Sequence, residues 1–409
     1  ANRVLITCRE QFFREHGDAL QAVQGQTDRL AALEQAARGF DGAIAVLQRF
    51  SDEQIREYLH KRVGEDEGAR AWRTIERLYD LRSLADRPQL LEMIIDSLPE
   101  LLRAGQMVTA GALYLRYTNR WLEDPAIRPA DRQSSSDELR GVLEALAVEL
   151  WRRDGQRIHH ADLYTLITRR GDLRGRHDPI VLDVELRTAA FLSRTPDGYY
   201  GFSHRSFLEF FHARALLQAL HAAADSQSGA QALANLLSGP RPSRELAGFF
   251  GDLLAAAPPP AGLVFVRQSC AAVLADPEQP PSARRNVYLL GYWLCRQGTP
   301  AGEGVARQDE WLPRPPQRLE LAGCQCTDLA LPGAVLAGAN LADSTWDRSD
   351  LERADLGGAT AGRASFRACR MAGSRLATAV LEDACLDEVD ATGADLSGAR
   401  AAASRWIGA

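Results

Sequence analysis

The sequence predicts a multidomain protein that is mainly α-helical over about its first three quarters and ends in a solenoid. Three observations predict this division. An apolar residue recurs at every fifth position from Leu321 to Trp406. Helix-capping patterns recur along the chain before that repeat. One β-hairpin pattern, at residues 191–202 with Pro-Asp-Gly between its arms, interrupts the helices.

The five-residue repeat is the strongest signal in the chain. It holds for 18 consecutive positions, and the residue two places earlier is Ala, Ser or Cys at fifteen of those 18, with Leu319, Leu329 and Val389 as the exceptions. A period of five fits neither a surface helix nor a flat strand. It predicts a solenoid in which each coil buries its apolar residues against the next. A disordered tail would not keep one apolar phase through so many units.

Three pentads in this stretch match the pattern A-[DN]-L-x-x at every defined position; they start at Ala339, Ala354 and Ala394. The stretch resembles the pentapeptide-repeat family. That resemblance implies a right-handed, four-sided β-helix with four pentads per coil. With coils at strand spacing, roughly 4.8 Å, the 18 pentads would form about 4.5 coils in a rod on the order of 20 Å long.

Composition limits the classes of function. A net charge of −6 and a pI near 5.8 disfavour a general nucleic-acid binder. Seven cysteines without a framework spacing predict reduced thiols and a cytoplasmic protein. Cys324 and Cys326 form a C-x-C pattern, but their phase in the repeat predicts core residues and not metal ligands. No run approaches 18 apolar residues and no signal peptide is visible, so no membrane segment is expected.

Helix signals place most elements before the repeat. Capping boxes at Ser51-x-x-Gln54, Ser135-x-x-Glu138 and Ser206-x-x-Glu209 predict three helix starts. Strands are predicted at residues 4–7 and 43–47, and because two strands do not make a stable sheet, we expect this chain to be a fragment. The predicted helices cover, approximately, residues 51–61, 71–84, 88–102, 109–122, 135–153, 161–168, 179–190, 206–221, 229–237, 244–256, 263–274 and 282–295.

Three separated stretches resemble the NACHT branch of the STAND NTPases. They are Val4–Arg9, Leu84–Leu91 and Phe202–Ala213, which resemble the sensor-1 strand, the adenine-proline segment and the winged-helix signature F-x-H-x-[ST]-F-x-E-[FY]-[FL]-x-A. The resemblance covers about residues 1–225. This resemblance implies a mainly α-helical fold that begins with the C-terminal end of an α/β NTPase core. A helical domain, a winged helix and a helical linker domain would follow, and the β-helix would come last. The predicted boundaries are 1–50, 51–130, 131–225, 226–297, a linker at 298–316, and 317–409.

The resemblance implies that Arg9, Pro88 and His204 contact a nucleotide, ATP or ADP with Mg²⁺. Arg9 would pair with a γ-phosphate, Pro88 would pack on adenine and His204 would donate to a β-phosphate. Each has a simpler interpretation, as a structural ion pair, a helix starter and a packed histidine. Glu209 is predicted to be the capping-box acid. The remaining predictions are core packing for Phe207, Phe210 and Phe211, and solvent exposure for His159, His160 and His177.

The P-loop pattern G-x-x-x-x-G-K-[ST] is missing from this chain. Lys61 is its single lysine, and no glycine precedes it at the required spacing. No catalytic residue is therefore expected in these residues. A nucleotide site would need an upstream segment. With that segment the full-length protein is expected to be an ATPase, whereas these residues alone are not expected to be catalytic.

The leading hypothesis from the sequence is a nucleotide-switched signalling protein of the kind found in bacterial innate immunity and antiphage defence. The solenoid would bind a protein ligand or mediate self-assembly, giving a nucleotide-dependent oligomer. One alternative is a pentapeptide-repeat binding module that mimics DNA and inhibits topoisomerases. Residues 317–409 hold 13 acidic residues against 9 arginines, a net charge of −4, which is weak for a DNA mimic. The other alternative is an inert scaffold.

Overall fold

The computed structural model describes residues 49–77, 82, 85–86, 91–97, 109–123, 134–155, 157–169, 185–186, 191–195, 197–256, 262–296, 308–314 and 316–409. Both predicted N-terminal strands lie outside these ranges. Among the described residues, the elements in chain order are α1, Asp52–Val63; α2, Glu65–Arg77; α3, Ala110–Glu123; α4, Ser136–Arg152; β1, Ile158–His159; α5, His160–Arg169; β2, Leu192–Arg194; β3, Tyr199–Phe202; α6, Arg205–Ala222; α7, Ser226–Leu237; α8, Arg244–Ala256; α9, Leu263–Ala275; α10, Pro281–Arg296; and a 3₁₀ turn, Gln308–Trp311.

The first two helices are joined by one residue. Ser51 and Gln54 form the predicted capping box at the start of α1. Gly64, with φ of +89°, ends α1, and α2 begins at once. The predicted start of α2 at residue 71 was wrong. Three acidic residues in its first turn, Glu65–Glu67, favour the earlier start because they complement the helix dipole.

A small antiparallel sheet follows α4 and α5. The predicted hairpin is present, with β2 paired to β3 and Gly198 in the turn at φ +91°. The strand β1 was not predicted. It pairs with the other side of β3, so the strand order is β1-β3-β2. A two-residue strand is too short to show alternation in the sequence.

The helix α6 lies at the centre of the helical part, in contact with α3, α4, α7 and α8. Its three phenylalanines, Phe207, Phe210 and Phe211, are at most 1% exposed, as predicted for core residues. The ring of Tyr114 from α3 packs on Phe207 and Phe210 at centroid distances of 4.9 and 5.5 Å. The helices α7–α10 complete a body that we call the helical body, residues 205–296.

The C-terminal β-helix has the predicted register. Each bridge pairs residues 20 apart, from Glu320 with Asn340 to Cys385 with Arg405, so one coil contains four pentads. Leu341, Leu356, Phe366 and Leu386 are at most 1% exposed on its axis, as predicted. The second residue after each axis residue has a positive φ in all 18 pentads, from Gly323 to Gly408. Every pentad therefore turns the chain through one left-handed residue.

The two ends of the β-helix differ. The helical body covers its first coil, whereas axis residues of its last coil are partly exposed. Leu321 in the first coil is fully buried, while Leu396 in the last coil is 39% exposed. Gln308–Trp311, inside the predicted linker, also packs on the helical body, where Trp311 is 2% exposed. In the described ranges we find no helix with the length and apolarity that crossing a membrane requires.

Candidate interaction site

The junction between the helical body and the β-helix is built mainly by α10. Its side chains at intervals of about four residues lie on one face of the helix. They donate hydrogen bonds to backbone carbonyls of the first coil: Arg284 to Ala322 at 2.9 Å, Arg285 to Gln325 at 3.2 Å, Tyr288 to Val335 at 3.2 Å, Tyr292 to Pro332 at 3.0 Å, and Arg296 to Pro332. Backbone carbonyls have fixed positions, so this row sets the orientation of the β-helix on α10.

A second set of contacts fastens the loop between α7 and α8. The Nδ2 atom of Asn286, a fully buried residue, donates to the carbonyls of Leu237 and Pro240, both at 2.7 Å. Arg241 in the same loop donates to the Thr327 hydroxyl at 2.9 Å. One loop therefore joins α7, α10 and the first coil. These contacts make the helical body and the covered end of the β-helix a single hydrogen-bonded unit.

Burial keeps the thiols at this junction neutral. Burial raises the pKa of the Cys324 thiol to about 11, and it raises the pKa of the Cys326 thiol further. Cys324 also donates to the carbonyl of Pro281 at 3.2 Å. The prediction that the C-x-C pair is core is confirmed. No cluster of three or more metal-ligating side chains is found among the residues with described positions.

The outer surface of the β-helix carries charge in bands. Residues 360–379 hold four arginines and no acid, and we call them the basic band; residues 380–399 hold six acids and no base, and we call them the acidic band. Ion pairs join neighbouring coils, as between Asp343 and Arg363 at 2.7 Å. The hydrogen bond from Arg363 lowers the pKa of the Asp343 carboxyl.

A few charges on the bands take no part in these pairs. In the described part of the chain, Arg367, Asp383 and Glu388 have no ion pair within 4.0 Å. All three are exposed. They can meet a charged partner without first breaking a contact inside the coil, so they are the best placed charges for binding.

Comparison with known families agrees with this geometry. The profile described as Pentapeptide repeats matches eight copies, at residues 331–361 and 362–398. The C-terminal domain is a pentapeptide-repeat domain. Domains of this kind are protein-interaction modules. The profile match begins at residue 331, inside the first coil, and ends at residue 398, whereas the bridge pattern extends the pentapeptide-repeat domain from residue 320 to residue 405.

Two solved structures resemble the chain over the same kind of domain. One is the pentapeptide repeat protein Rfr23 from the cyanobacterium Cyanothece 51142, with 23% identity, a TM-score of 0.16, and coverage of 22% of this chain and 64% of that one. The other is HetL from Nostoc sp. strain PCC 7120, with 25% identity, a TM-score of 0.13, and coverage of 21% and 46%. An uncharacterized WD repeat-containing protein from Nostoc sp. is 27% identical over 227 residues; the match covers 52% of this chain and only 14% of that relative's length.

Of the three predicted nucleotide contacts, only His204 lies within the described residues. Its backbone is extended, at φ −143° and ψ 145°, and its Nδ1 accepts the Ser206 N–H at 3.2 Å, so His204 is the N-cap of α6. The Ser206 hydroxyl contacts both this imidazole and the Tyr114 hydroxyl, the latter at 2.6 Å. His204 therefore sits where α3 meets α6. Arg9 and Pro88 lie outside the described ranges, so their predicted meeting with His204 stays a prediction.

The capping box predicted at Ser206-x-x-Glu209 was wrong. Ser206 is inside α6, its hydroxyl is held by Tyr114, and His204 caps the helix instead. The Glu209 side chain accepts from the Nε of Arg205 at 3.0 Å. Glu209 is 5% exposed, and this burial raises the pKa of its carboxyl. It is thus a buried structural acid and not a cap.

A buried histidine and the α10 row were both missed from the sequence. His212 is fully buried against Trp151, with ring centroids 4.6 Å apart, and its Nε2 lies 3.2 Å from the Leu236 carbonyl. Burial lowers the pKa of His212 to about 3, so it is neutral at physiological pH. The row had a readable signal, since Arg284, Tyr288, Tyr292 and Arg296 repeat at a spacing of four. His160 is exposed and His159 partly so, while His177 lies outside the described ranges.

Proposed function

We propose that the pentapeptide-repeat domain binds a protein partner through its charged bands, and that the helical body transmits this binding toward α6. The observation that carries the proposal is a path across the junction made of hydrogen bonds and the short backbone segments between them. It runs from Thr327 to Arg241, through the loop held by Asn286, and on to the Leu236 carbonyl beside His212. A shift of the first coil on partner binding would reach α6 through groups that are already in contact.

Charge banding favours a protein partner over DNA mimicry. A DNA mimic needs one continuous acidic face, whereas the basic band places four arginines between two acidic coils. A partner with an acidic group opposite Arg367 and a basic group opposite Glu388 would match the bands. Such complementarity raises association rates and selects partners, even where each surface pair adds little affinity.

The first experiment places a photocrosslinking residue at position 367 in cells and identifies the captured protein. The captured protein is then purified, and its affinity for Arg367→Glu is compared with that for the wild type. Thr378→Ala, an uncharged position of the basic band two pentads further along the coil and so on another face of the β-helix, is the control. We expect Arg367→Glu to weaken binding at least tenfold and Thr378→Ala to leave it unchanged. Equal binding by all three proteins would reject the bands as the binding surface.

The second experiment tests transmission with that purified partner. We expect its binding to change hydrogen exchange in α6 as well as in the β-helix. Asn286→Ala should remove the change in α6 and keep the change in the β-helix, because the loop that joins the two is released. A protection change that stops at the β-helix in the wild type would reject the relay and leave only a binding module.

A nucleotide switch is the second candidate, and the position of His204 favours it. We propose that β1–β3 with α4–α6 form the winged helix of a NACHT-like signalling protein, as Phe202–Ala213 suggests. In this proposal His204 contacts the β-phosphate of ADP, while Arg9 and Pro88 contact the same nucleotide. The imidazole caps α6 and contacts Ser206, whose hydroxyl contacts Tyr114 of α3, so a nucleotide bound there would join separate segments. ATP, ADP, Mg²⁺ and a role in defence signalling all belong to this proposal.

Two substitutions separate capping from nucleotide binding. Asn is a strong N-cap, so His204→Asn keeps the cap and removes the imidazole, whereas His204→Ala removes both. Loss of a hydrogen bond to a charged phosphate costs about 1.5–3 kcal/mol, so ADP affinity of the full-length protein should fall roughly 10- to 100-fold in both variants. Thermal stability should fall only in His204→Ala. Wild-type ADP affinity in His204→Asn would limit His204 to capping.

A further inference from the structure

A cavity of about 290 Å³ lies beside the start of α6, on the side away from α3. Its walls come from the end of α4 and the turn after it, from β3, from the first turn of α6, and from the loop between α7 and α8. His204 does not line it. Arg205 and Leu208 do, whereas Ser206 and Phe207 of the same helix contact Tyr114. The cavity is therefore separate from the nucleotide site proposed above.

Part of the cavity lining is basic. Arg157, Arg205 and Arg241 line the cavity from three different segments, and Asp154 is the only acidic residue among the lining residues with described positions. Guanidinium groups offer planar pairs of donors that match the oxygens of phosphate and carboxylate groups. Glu209, outside the lining, pairs with Arg205, so three arginines stand against two acids, and the remaining positive charge favours an anionic ligand.

Another part of the lining is apolar. Trp151 is 4% exposed and Leu208 is 7% exposed, and Leu150 and Phe202 complete this wall. A bare inorganic ion would leave such a wall without a partner. A ligand that carries a compact, flat apolar group beside its anionic group would contact both the basic and the apolar residues of the lining.

Two of the three arginines are held by side-chain contacts, and the third has room beside a glycine. A side chain at position 201 would come within 3.2 Å of the Arg157 stem, so Gly201 gives that arginine its room. Arg205 is anchored by the buried carboxylate of Glu209 at 3.0 Å. Arg241 is fixed by its hydrogen bond to Thr327, in a loop that Asn286 holds by the Pro240 carbonyl. Such preorganisation lowers the entropy cost of binding.

We propose that this cavity binds a small organic phosphate, a monoester with a compact aromatic or apolar group. The phosphate would lie among the three arginines, and the apolar group would lie against Trp151 and Leu208. The cavity is at the small end of ligand pockets, which excludes large ligands. Because Arg241 also contacts Thr327, a bound phosphate would tighten the junction with the β-helix. This site goes beyond the proposed function and does not depend on it.

The test uses phenyl phosphate as the probe and calorimetry on the whole chain. We expect saturable binding in the millimolar range or tighter, and at least tenfold weaker binding in Arg157→Gln and in Arg205→Gln, since each removes a charged donor. Arg153→Gln is the matched control, because Arg153 is four residues before Arg157 in the chain but pairs with Glu149 and does not line the cavity. It should bind like the wild type.

Inorganic phosphate, benzoate and phenol distinguish the parts of the ligand. Phenyl phosphate should bind at least tenfold tighter than each of them. Benzoate binding as tightly would overturn the preference for phosphate, and inorganic phosphate binding as tightly would overturn the apolar subsite. Binding that is absent, or that is equal in Arg153→Gln and Arg157→Gln with both variants folded by circular dichroism, would overturn the site itself.

Discussion

The two ends of the β-helix have the same repeat but different surroundings. At the covered end, Leu321 is fully buried beneath the helical body, and α10 donates to the carbonyls of the first coil. At the open end, Leu396 is 39% exposed although it holds the same place in its pentad. The repeat sets which way a side chain points. The structure packed above and below that side chain along the β-helix axis determines how far it is buried, and so how much it contributes to stability.

The largest difference is expected from one charge placed on the axis. Leu356 is 1% exposed in the middle of the β-helix, and Leu356→Asp should cost about 3–5 kcal/mol because it buries an unpaired carboxylate. Leu396→Asp should cost about 1 kcal/mol or less, since water reaches that position. Urea unfolding followed by circular dichroism measures both. An equal loss of unfolding free energy in the two variants would show that Leu396 is as well covered as Leu356.

Acid should weaken the helical body before the β-helix. His212 has a folded pKa of about 3 against an ordinary value of 6.5, so below pH 6.5 the unfolded chain takes up a proton that the folded chain does not. Stability is then lost as the pH falls from 6.5 toward 3, by up to about 1.4 kcal/mol per pH unit. The carboxyls of Asp343 and Asp387 have lowered pKa values, so their contribution is lost only at lower pH.

The control for this pH dependence is a pair of histidine variants. His212→Gln keeps a donor near the Leu236 carbonyl and should flatten the stability profile between pH 6.5 and 4. His221→Gln, on the exposed surface at the end of α6, should leave the profile unchanged. Thermal unfolding at each pH provides the measurement. A wild-type profile that is already flat in this range would contradict the assignment to His212.

Removing the amide of Asn286 should loosen the covered end. Asn286→Ala leaves the Leu237 and Pro240 carbonyls without this donor, at a cost of about 1–3 kcal/mol. Asn235→Ala, at an exposed position on α7, is the comparison and should have little effect. Limited proteolysis between the helical body and the β-helix should accelerate only in Asn286→Ala. Unchanged proteolysis would mean that the loop does not hold the junction.

The smallest effect is expected from a single charge on the bands. Arg363→Ala removes the pair with Asp343, which lies in water where such pairs contribute little. We expect a change in melting temperature smaller than that of Asn286→Ala, and one that disappears at high salt. A large, salt-independent loss would show that the ion pairs between coils, and not the apolar axis, hold the β-helix together.

Much of the fold was predictable because its signals are local and repeated. The phase of the repeat placed Leu341, Leu356, Phe366 and Leu386 on the axis, and the capping boxes at Ser51 and Ser135 marked two helix starts. The cap of α6 was predicted wrongly because the pattern Ser206-x-x-Glu209 carries no information about Tyr114. The hydroxyl of that distant tyrosine forms a hydrogen bond with the Ser206 hydroxyl. The chain is extended after β3, and this places His204 at the N-cap position.

The candidate site was less predictable, since it depends on contacts between distant segments. Arg241 and Thr327 are 86 residues apart, and nothing in either local sequence indicates that they meet. The charge bands were readable once the period was known, because residues 20 apart stack on neighbouring coils. Which of those charges stay unpaired, such as Arg367, required the geometry of the side chains.

Hydrogen exchange along the β-helix tests the central claim most directly, namely that the helical body and the covered end form one unit while the other end is open. We predict that the amides of Asn340 and Thr345, which bond back to the first coil, exchange only through global unfolding. The amides of Arg400 and Arg405 should exchange much faster, by local opening of the last coil. Equal protection at both ends, or faster exchange at Asn340 and Thr345, would contradict this account.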